Sequence, residues 1–513
     1  MKKFRMIALI IFVSTTGLVF NSYGEQKPRY GGILREIDAS GPRVLGYLPE
    51  MGPGDEIAVL PAVERMMETN ENKQIVPFLA ESMTVGGDRK TMTFKLRRGI
   101  KFHDGSDFNA EVAAWNYQLY KDTKRLMFDD KIESIEVVDD YTMVLHITDF
   151  NNQFLFGLGW VPMYSKAAWD KAGGGDIEKS KAFARSHCVG TGPFKLGEYK
   201  RDVHLKWVRN ENYWQKGKPY LDGITATYIP DPVTASAMMQ AGEADMWYQT
   251  PVKYQAELEK KGFIRQSGYG LPRMIYINTK DPESRFNDIR LRYAIEYALN
   301  KPAMAKALGF GYYVPMTMVA PPGEWGYDPD YKGRPYDPEM ARKLIAEAGY
   351  AKGLKIKLTA MAVGTWPQEA EAIAGYLRDI GIEVKIDLAD PGRFFNSLWL
   401  EGWDDLILFL TGVDPNYLQT FFAQFGPQPQ ANYASFKRPP ELIKMCDEAY
   451  KAYDVESQKA MTKKLVRLMA DECLVIPIYH VPSAYMIQPW VHTTFLREHM
   501  VARQTYNEWL EEH

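Results

Sequence analysis

LKIKLTAMAVGTWPQEAEAIAGYLRDIGIEVKIDL, residues 354–388, decides the fold class. Leu354, Ile356 and Leu358 alternate with lysine, the two-residue period of a strand. A helix from about Pro367 to Asp379 follows, and then Ile382, Val384 and Ile386 alternate again. Strand, helix and strand with short links predict a parallel pair joined by a right-handed crossover, and so an α/β protein. Upstream, Leu291, Ala294, Ile295 and Ala298 make one helix face. Asp337 caps a further helix with Pro338 at its first position. Met340, Leu344, Ile345 and Ala348 form its expected buried stripe, and Gly349 ends it.

The first third has another rhythm. Met92, Phe94 and Leu96 alternate before Gly99, and Ile100 and Phe102 alternate after it, which predicts a hairpin. His103-Asp104-Gly105-Ser106 reads as a turn, and Asn109 as the cap of the helix carrying Val112, Trp115 and Leu119. Ile135 and Val137, then Met143, Leu145 and Ile147, predict a second hairpin. Hairpins early and βαβ late predict separate lobes.

The chain has 513 residues, 46% hydrophobic and 25% charged, with net charge −3. That suits a globular protein of two or three domains at roughly 150 residues each, and no basic patch or charge run points to nucleic acid. Lys2, Lys3 and Arg5 precede an apolar run from Met6 to Phe20, with small residues at Ser22 and Gly24. Residues 1–24 are therefore expected to be a cleavable signal peptide, with the mature chain periplasmic. No Cys stands at the junction, so no lipid anchor is expected. Cys188, Cys446 and Cys473 are odd in number and lack a CxxC spacing, which favours buried thiols over a disulfide framework.

Chemistry is sparse. The chain has no GxSxG, HExxH, P-loop or CxxC motif, so no enzyme activity and no cofactor is expected. Gly173-Gly174-Gly175 follows a helical segment and reads as a loop, not a phosphate cradle. His492 and His499 share a helical spacing but lack a third ligand, so no metal site is expected. The 12 Trp, 31 Tyr and 24 Phe suit both a core and an apolar ligand cleft.

Five blocks in order carry a resemblance: Val76-Pro77-Phe78-Leu79-Ala80-Glu81-Ser82 with Thr93 to Gly105; Gly190-Thr191-Gly192-Pro193-Phe194; Arg209 to Trp214; Ile277-Asn278-Thr279 with Phe286 to Ile295; and Tyr336-Asp337-Pro338 to Tyr350. They resemble family 5 extracellular solute-binding proteins, the dipeptide-, oligopeptide- and nickel-binding subunits of ABC importers. The resemblance implies a periplasmic binding protein type II-like fold of three domains in two lobes joined by a hinge. Domain I would comprise 25–58, 187–276 and 482–513, with domain II at 59–186 and domain III at 277–481. The hinge crossings would lie near Met274–Ile277 and Ile478–Val481. It also implies a monomer that closes on a small-molecule or peptide-like ligand and delivers it to an ABC permease and its ATPase subunits. A dipeptide- or oligopeptide-specific binder, or a sensor or chaperone on the same fold, stays open.

Peptide-binding members carry a late GW-x-AD-Y-x-DP segment whose first Asp holds the peptide amine. Here Leu408-Phe409-Leu410-Thr411-Gly412-Val413-Asp414-Pro415 corresponds, with Leu410 at the Trp, the amine-holding Asp missing and Pro391 at a second aromatic position. The expected ligand therefore has apolar character and no obligatory free amine. Candidate ligand-binding residues are Tyr47, Glu50, Met51, Trp160, Arg273, Phe394, Phe409, Thr411, Tyr479 and His480. Arg273 would meet a ligand carboxylate.

Overall fold

A computed structural model describes residues 27–512 apart from 71–74, 127–128, 149, 151–152, 269, 411, 413–416, 428–432, 453 and 494–502. The signal peptide, Thr411, Asp414 and His499 lie outside the described residues.

Three sheets organise the chain. The 354–388 unit folds as read: Leu354–Met361 runs parallel to Ile382–Ala389 across the helix Trp366–Asp379. These strands join Leu406–Leu410, Leu271–Ile277, Val475–Val481 and Val314–Pro315 in one six-stranded sheet. Leu406, Ile407 and Leu408 are each 0% exposed, because a central strand covered on both faces needs no polar alternation.

A seven-stranded sheet centres on Ile33–Asp38, which is parallel to both neighbours, Gly223–Tyr228 and Met246–Trp247. Its two faces are both covered. Leu34 packs into one buried cluster and Ile37 into another beneath the helices Pro232–Gln240 and Val252–Glu259. The edge strand Ile264–Ser267 and its neighbour Ala484–Ile487 bring distant parts of the chain into the same sheet.

The third sheet, Ala80–Val85, Thr91–Leu96, Thr142–Ile147 and Ile132–Asp139, is antiparallel with one buried face. The hairpin around Asp139-Asp140 forms as read. The hairpin around Gly99 does not. Both edges of Thr91–Leu96 are taken by the neighbouring strands, so residues 100–102 fold back on 106–108 instead, through Phe102 N to the Ser106 carbonyl and Phe108 N to the Ile100 carbonyl. Ile100 and Phe102 thus reach the core from a loop. Asn109 caps its helix through Val112 N, and Asp337 caps Pro338–Glu347 through Met340 N. In the latter helix the buried stripe is rotated: Ala341 and Ile345 are buried, whereas Met340 is 37% exposed. Gly174 ends a helix in the left-handed conformation, as a loop glycine does. All three cysteines are free and buried.

The chain crosses between the two large sheets twice. One crossing lies between Ser267 and Leu271, the other between Val481 and Ala484. They run side by side. Gly268 N donates to the Ser483 carbonyl, and Leu271 pairs with Val481. The expected hinge positions are therefore displaced. Met274–Ile277 and Ile478–Tyr479 are fully buried strand residues, and the connection between lobes begins a few residues beyond them.

Candidate functional site

The carboxyl end of Ile33–Asp38 opens on a cavity of about 590 Å³. Asp38 ends that strand and Ser40 and Gly41 follow it, Tyr228 ends the parallel strand on one side, and Tyr248 and Gln249 follow the strand on the other. Ligands bind outside the carboxyl ends of parallel strands, because neighbouring connections diverge there and leave a crevice. Arg503, from the far end of the chain, closes the cavity.

Arg503 is the electrostatic centre of this wall. Its guanidinium bonds Glu36, and it bonds Glu508 at 2.9 and 3.0 Å. Burial pushes the Glu36 carboxyl up and Arg503 pulls it down. Asp38 is raised by burial to about 6, and its carboxylate accepts from Ala39 N at 2.6 Å.

Two further cavities adjoin. A narrow one shares Arg503 with the first and is lined by Glu64, Arg65, Glu68, Trp160 and Tyr506. The other, of about 550 Å³, shares Arg65 and Trp160 with the narrow one and adds Glu56, Tyr120, Lys124 and Arg125. Glu64 is buried and accepts from Thr191 Oγ1 at 2.8 Å, Tyr213 Oη at 2.6 Å and Trp214 Nε1 at 2.9 Å. Burial dominates those bonds and raises its carboxyl to about 8.

The folded chain keeps a proton on Glu64 that an ordinary glutamate at 4.5 loses. That contribution is complete below about 4.5 and is lost as pH rises to about 8. One proton gives a slope of up to about 1.4 kcal/mol per pH unit. Denaturant titrations from pH 5 to 9 should show wild-type stability falling more steeply than that of Glu64→Gln. The difference between the curves separates Glu64 from Glu68, which burial raises to about 7, and from Asp38. Parallel curves would overturn the assignment.

Of the described sequence candidates, Trp160 lines these cavities. Tyr47 stacks on Trp169 at 5.8 Å inside the first lobe, and Met51 is buried, its carbonyl accepting from Arg125. Glu50 makes a two-pronged pair with Arg185 at 2.7 and 2.8 Å. Phe394 and Phe409 are buried in an aromatic group with Trp366. Tyr479 is fully buried against Tyr313. Arg273 has an internal carboxylate, with Nε 2.7 Å from Glu369 Oε2, and lies over the Trp366 ring at 3.8 Å. His480 Nε2 accepts from Gly270 N at 3.1 Å, which places it at the crossing between lobes. Burial lowers His480 to about 4, in keeping with an unprotonated ring that accepts. Asp38, Arg65 and Arg503 are not among the sequence candidates: Ile33-Leu34 and Ile37 ahead of Asp38 carry a strand signal, whereas Arg65 and Arg503 carry no periodic signal. Among the described residues no three His, Cys, Asp or Glu side chains are placed to hold a metal ion, and His492 instead pairs with Glu511.

The chain is 35% identical over 328 residues to the glutathione-binding protein GsiB of Escherichia coli O1:K1 / APEC, and equally to that of Shigella dysenteriae serotype 1. Each alignment spans 61% of both partners, so the match covers under two thirds of these relatives. Solved structures share the fold. CtaP of Listeria monocytogenes matches with TM-score 0.82 at 20% identity, over 94% of this chain and 100% of that one. The dipeptide-binding protein of Pseudoalteromonas sp. SM9913, in complex with Met-Leu, matches with TM-score 0.79 at 21% identity, over 94% and 100%. The family described as "Bacterial extracellular solute-binding proteins, family 5 Middle" matches residues 74–433, and with the two-lobed fold already in view this chain belongs to the family 5 extracellular solute-binding proteins.

Proposed function

We propose that this protein is the solute-capturing subunit of an ABC importer, binding a peptide-like ligand outside the cytoplasm as a monomer and passing it to a permease coupled to ATPase subunits. The observation that carries the reading is the cavity at the carboxyl ends of parallel strands in a lobe joined to its partner by two adjacent crossings. Such a connection lets the lobes move as bodies, and ligand favours closure by touching both. Family membership and the glutathione- and dipeptide-binding names of similar proteins support peptide-like cargo over catalysis. We read residues 25–58, 187–276 and 482–513 as domain I, 59–186 as domain II and 277–481 as domain III. The sheet shared by Ile33–Asp38, Gly223–Tyr228 and Ala484–Ile487 supports that division.

The test is calorimetry and thermal unfolding with glutathione and a di- and tripeptide panel, each peptide also N-acetylated. A ligand at 100 times its Kd should raise stability by about 2.7 kcal/mol. Acetylation should leave binding intact, since Leu408 and Phe409 on the corresponding strand are apolar and buried. Absence of binding across the panel, with no small molecule in native mass spectra of the protein from its host, overturns the reading.

A further inference from the structure

Among the described residues, the buried arginines differ in what satisfies them: Arg292 donates to the Phe286 carbonyl at 2.7 Å and the Glu472 carbonyl at 3.1 Å, and others meet carboxylates. Arg273 meets Glu369 at 2.7 Å, Arg334 meets Glu296 at 2.8 Å, and Arg503 bonds two carboxylates. Arg65 is as buried, at 8% exposure, yet among the described residues its ion pair is with half-exposed Glu56 at 3.5 Å, with no close backbone carbonyl of the kind that satisfies Arg292. Its Nε is buried with no hydrogen-bond partner among the described residues. Removing a guanidinium from water is costly without a matched acceptor, so a loosely paired buried arginine needs a reason.

The surroundings supply one. The Arg65 guanidinium lies over the Trp160 ring at 4.4 Å, which fixes its plane and leaves its donors in the edge. Arg65 and Trp160 together form the shared wall of two cavities. Lys124, paired with Asp129 at 3.1 Å, and Arg125, which donates to the Met51 carbonyl, also line the larger of these, and Glu56 is the carboxylate among its described lining residues. In the narrow cavity Glu64 is already satisfied by three donors, and Glu68 faces the Tyr506 hydroxyl at 3.3 Å. The cationic edge is thus the unmatched feature of the wall.

We propose that Arg65, held flat by Trp160, is the anchor for a carboxylate of the ligand. The inference rests on the reading of the chain as a binder of peptide-like solutes. A carboxylate accepts two parallel N–H bonds from a guanidinium fork, a geometry that Lys cannot reproduce.

The test compares the dipeptide Met-Leu and glutathione with their carboxamide forms by calorimetry, on the wild type, Arg65→Met and Arg65→Lys. Wild type should bind the acids at least about 10-fold more tightly than the amides. Arg65→Met should weaken acid binding by about 30- to 100-fold and leave amide binding within about two-fold, so the acid preference disappears. Should Arg65→Met fail to fold, Arg65→Lys keeps the charge without the fork, and its acid preference should drop by about 10-fold. An acid preference unchanged in both variants, or in Arg65→Lys when Arg65→Met does not fold, overturns the anchor and leaves the solute-binding reading standing. No binding of any probe to wild type overturns both.

Discussion

Arg503→Met should cost about 3–5 kcal/mol of folding stability, as expected when one member of a buried ion cluster is removed. The Arg503 side chain is 4% exposed and its partners Glu36 and Glu508 are 11% and 1% exposed. Removing the cation leaves two carboxylates in a poorly solvated site with no counter-charge. Thr493 Oγ1 bonds Glu508 at 2.6 Å, but one hydroxyl cannot replace a guanidinium. Two controls separate this cause from lost packing. Adding Glu36→Gln and Glu508→Gln to Arg503→Met should recover much of the loss, since neutral amides need no counter-ion. Lowering the pH should also shrink the penalty, because burial already pushes the Glu36 carboxyl up and Arg503 is what opposes it. Denaturant midpoints at pH 5 and pH 8 read both effects. A loss below about 0.5 kcal/mol, the range of an ordinary surface substitution, would sink the idea. Because Arg503 also walls the cavity of about 590 Å³, its loss should weaken ligand binding even where the fold survives.

The same cluster shows where sequence reading stops. The 354–388 unit was legible because both of its periods and its turn residues are local, and local signals survive without tertiary help. Glu36 and Arg503 are 467 residues apart, and no pattern within either segment announces the partner. Arg273 illustrates a subtler failure. Its position before a strand at the lobe boundary suggested a ligand-facing charge, but Glu369, supplied by the helix Trp366–Asp379, claims it within the lobe. The hairpin around Gly99 failed because alternation does not reveal which edge of a strand is free. Thr91–Leu96 had two better partners, one of them about fifty residues downstream. The hinge lies a few residues closer to the first lobe than the expected positions for a related reason. Chain order shows where a lobe changes, whereas the crossing itself is set by which backbone groups pair across sheets.

That crossing carries the second large effect. Gly270→Ala should be strongly destabilising, at or above the upper end of the roughly 1–3 kcal/mol usual for overpacking. A Cβ at position 270 would fall 1.7 Å from the Val481 carbonyl oxygen and 2.5 Å from Pro482 Cα. The obstacle is backbone, so no rotamer change relieves it, and the two crossings must part. Parting them strains the Gly270–His480 hydrogen bond and the Leu271–Val481 pairing that keep the connections side by side. The consequence is functional as well as energetic. If the lobes close as bodies about these paired connections, separating them should alter the closing motion, so the ligand-linked decrease in radius of gyration measured by solution scattering should shrink. Gly375→Ala is the control. It lies in the helix Trp366–Asp379 with nothing within 4 Å of the added methyl, and it should stabilise by about 0.5–1 kcal/mol through helix propensity alone. A Gly270→Ala protein with wild-type midpoint and wild-type closure would show that the two crossings tolerate separation, and that the hinge does not depend on their contact.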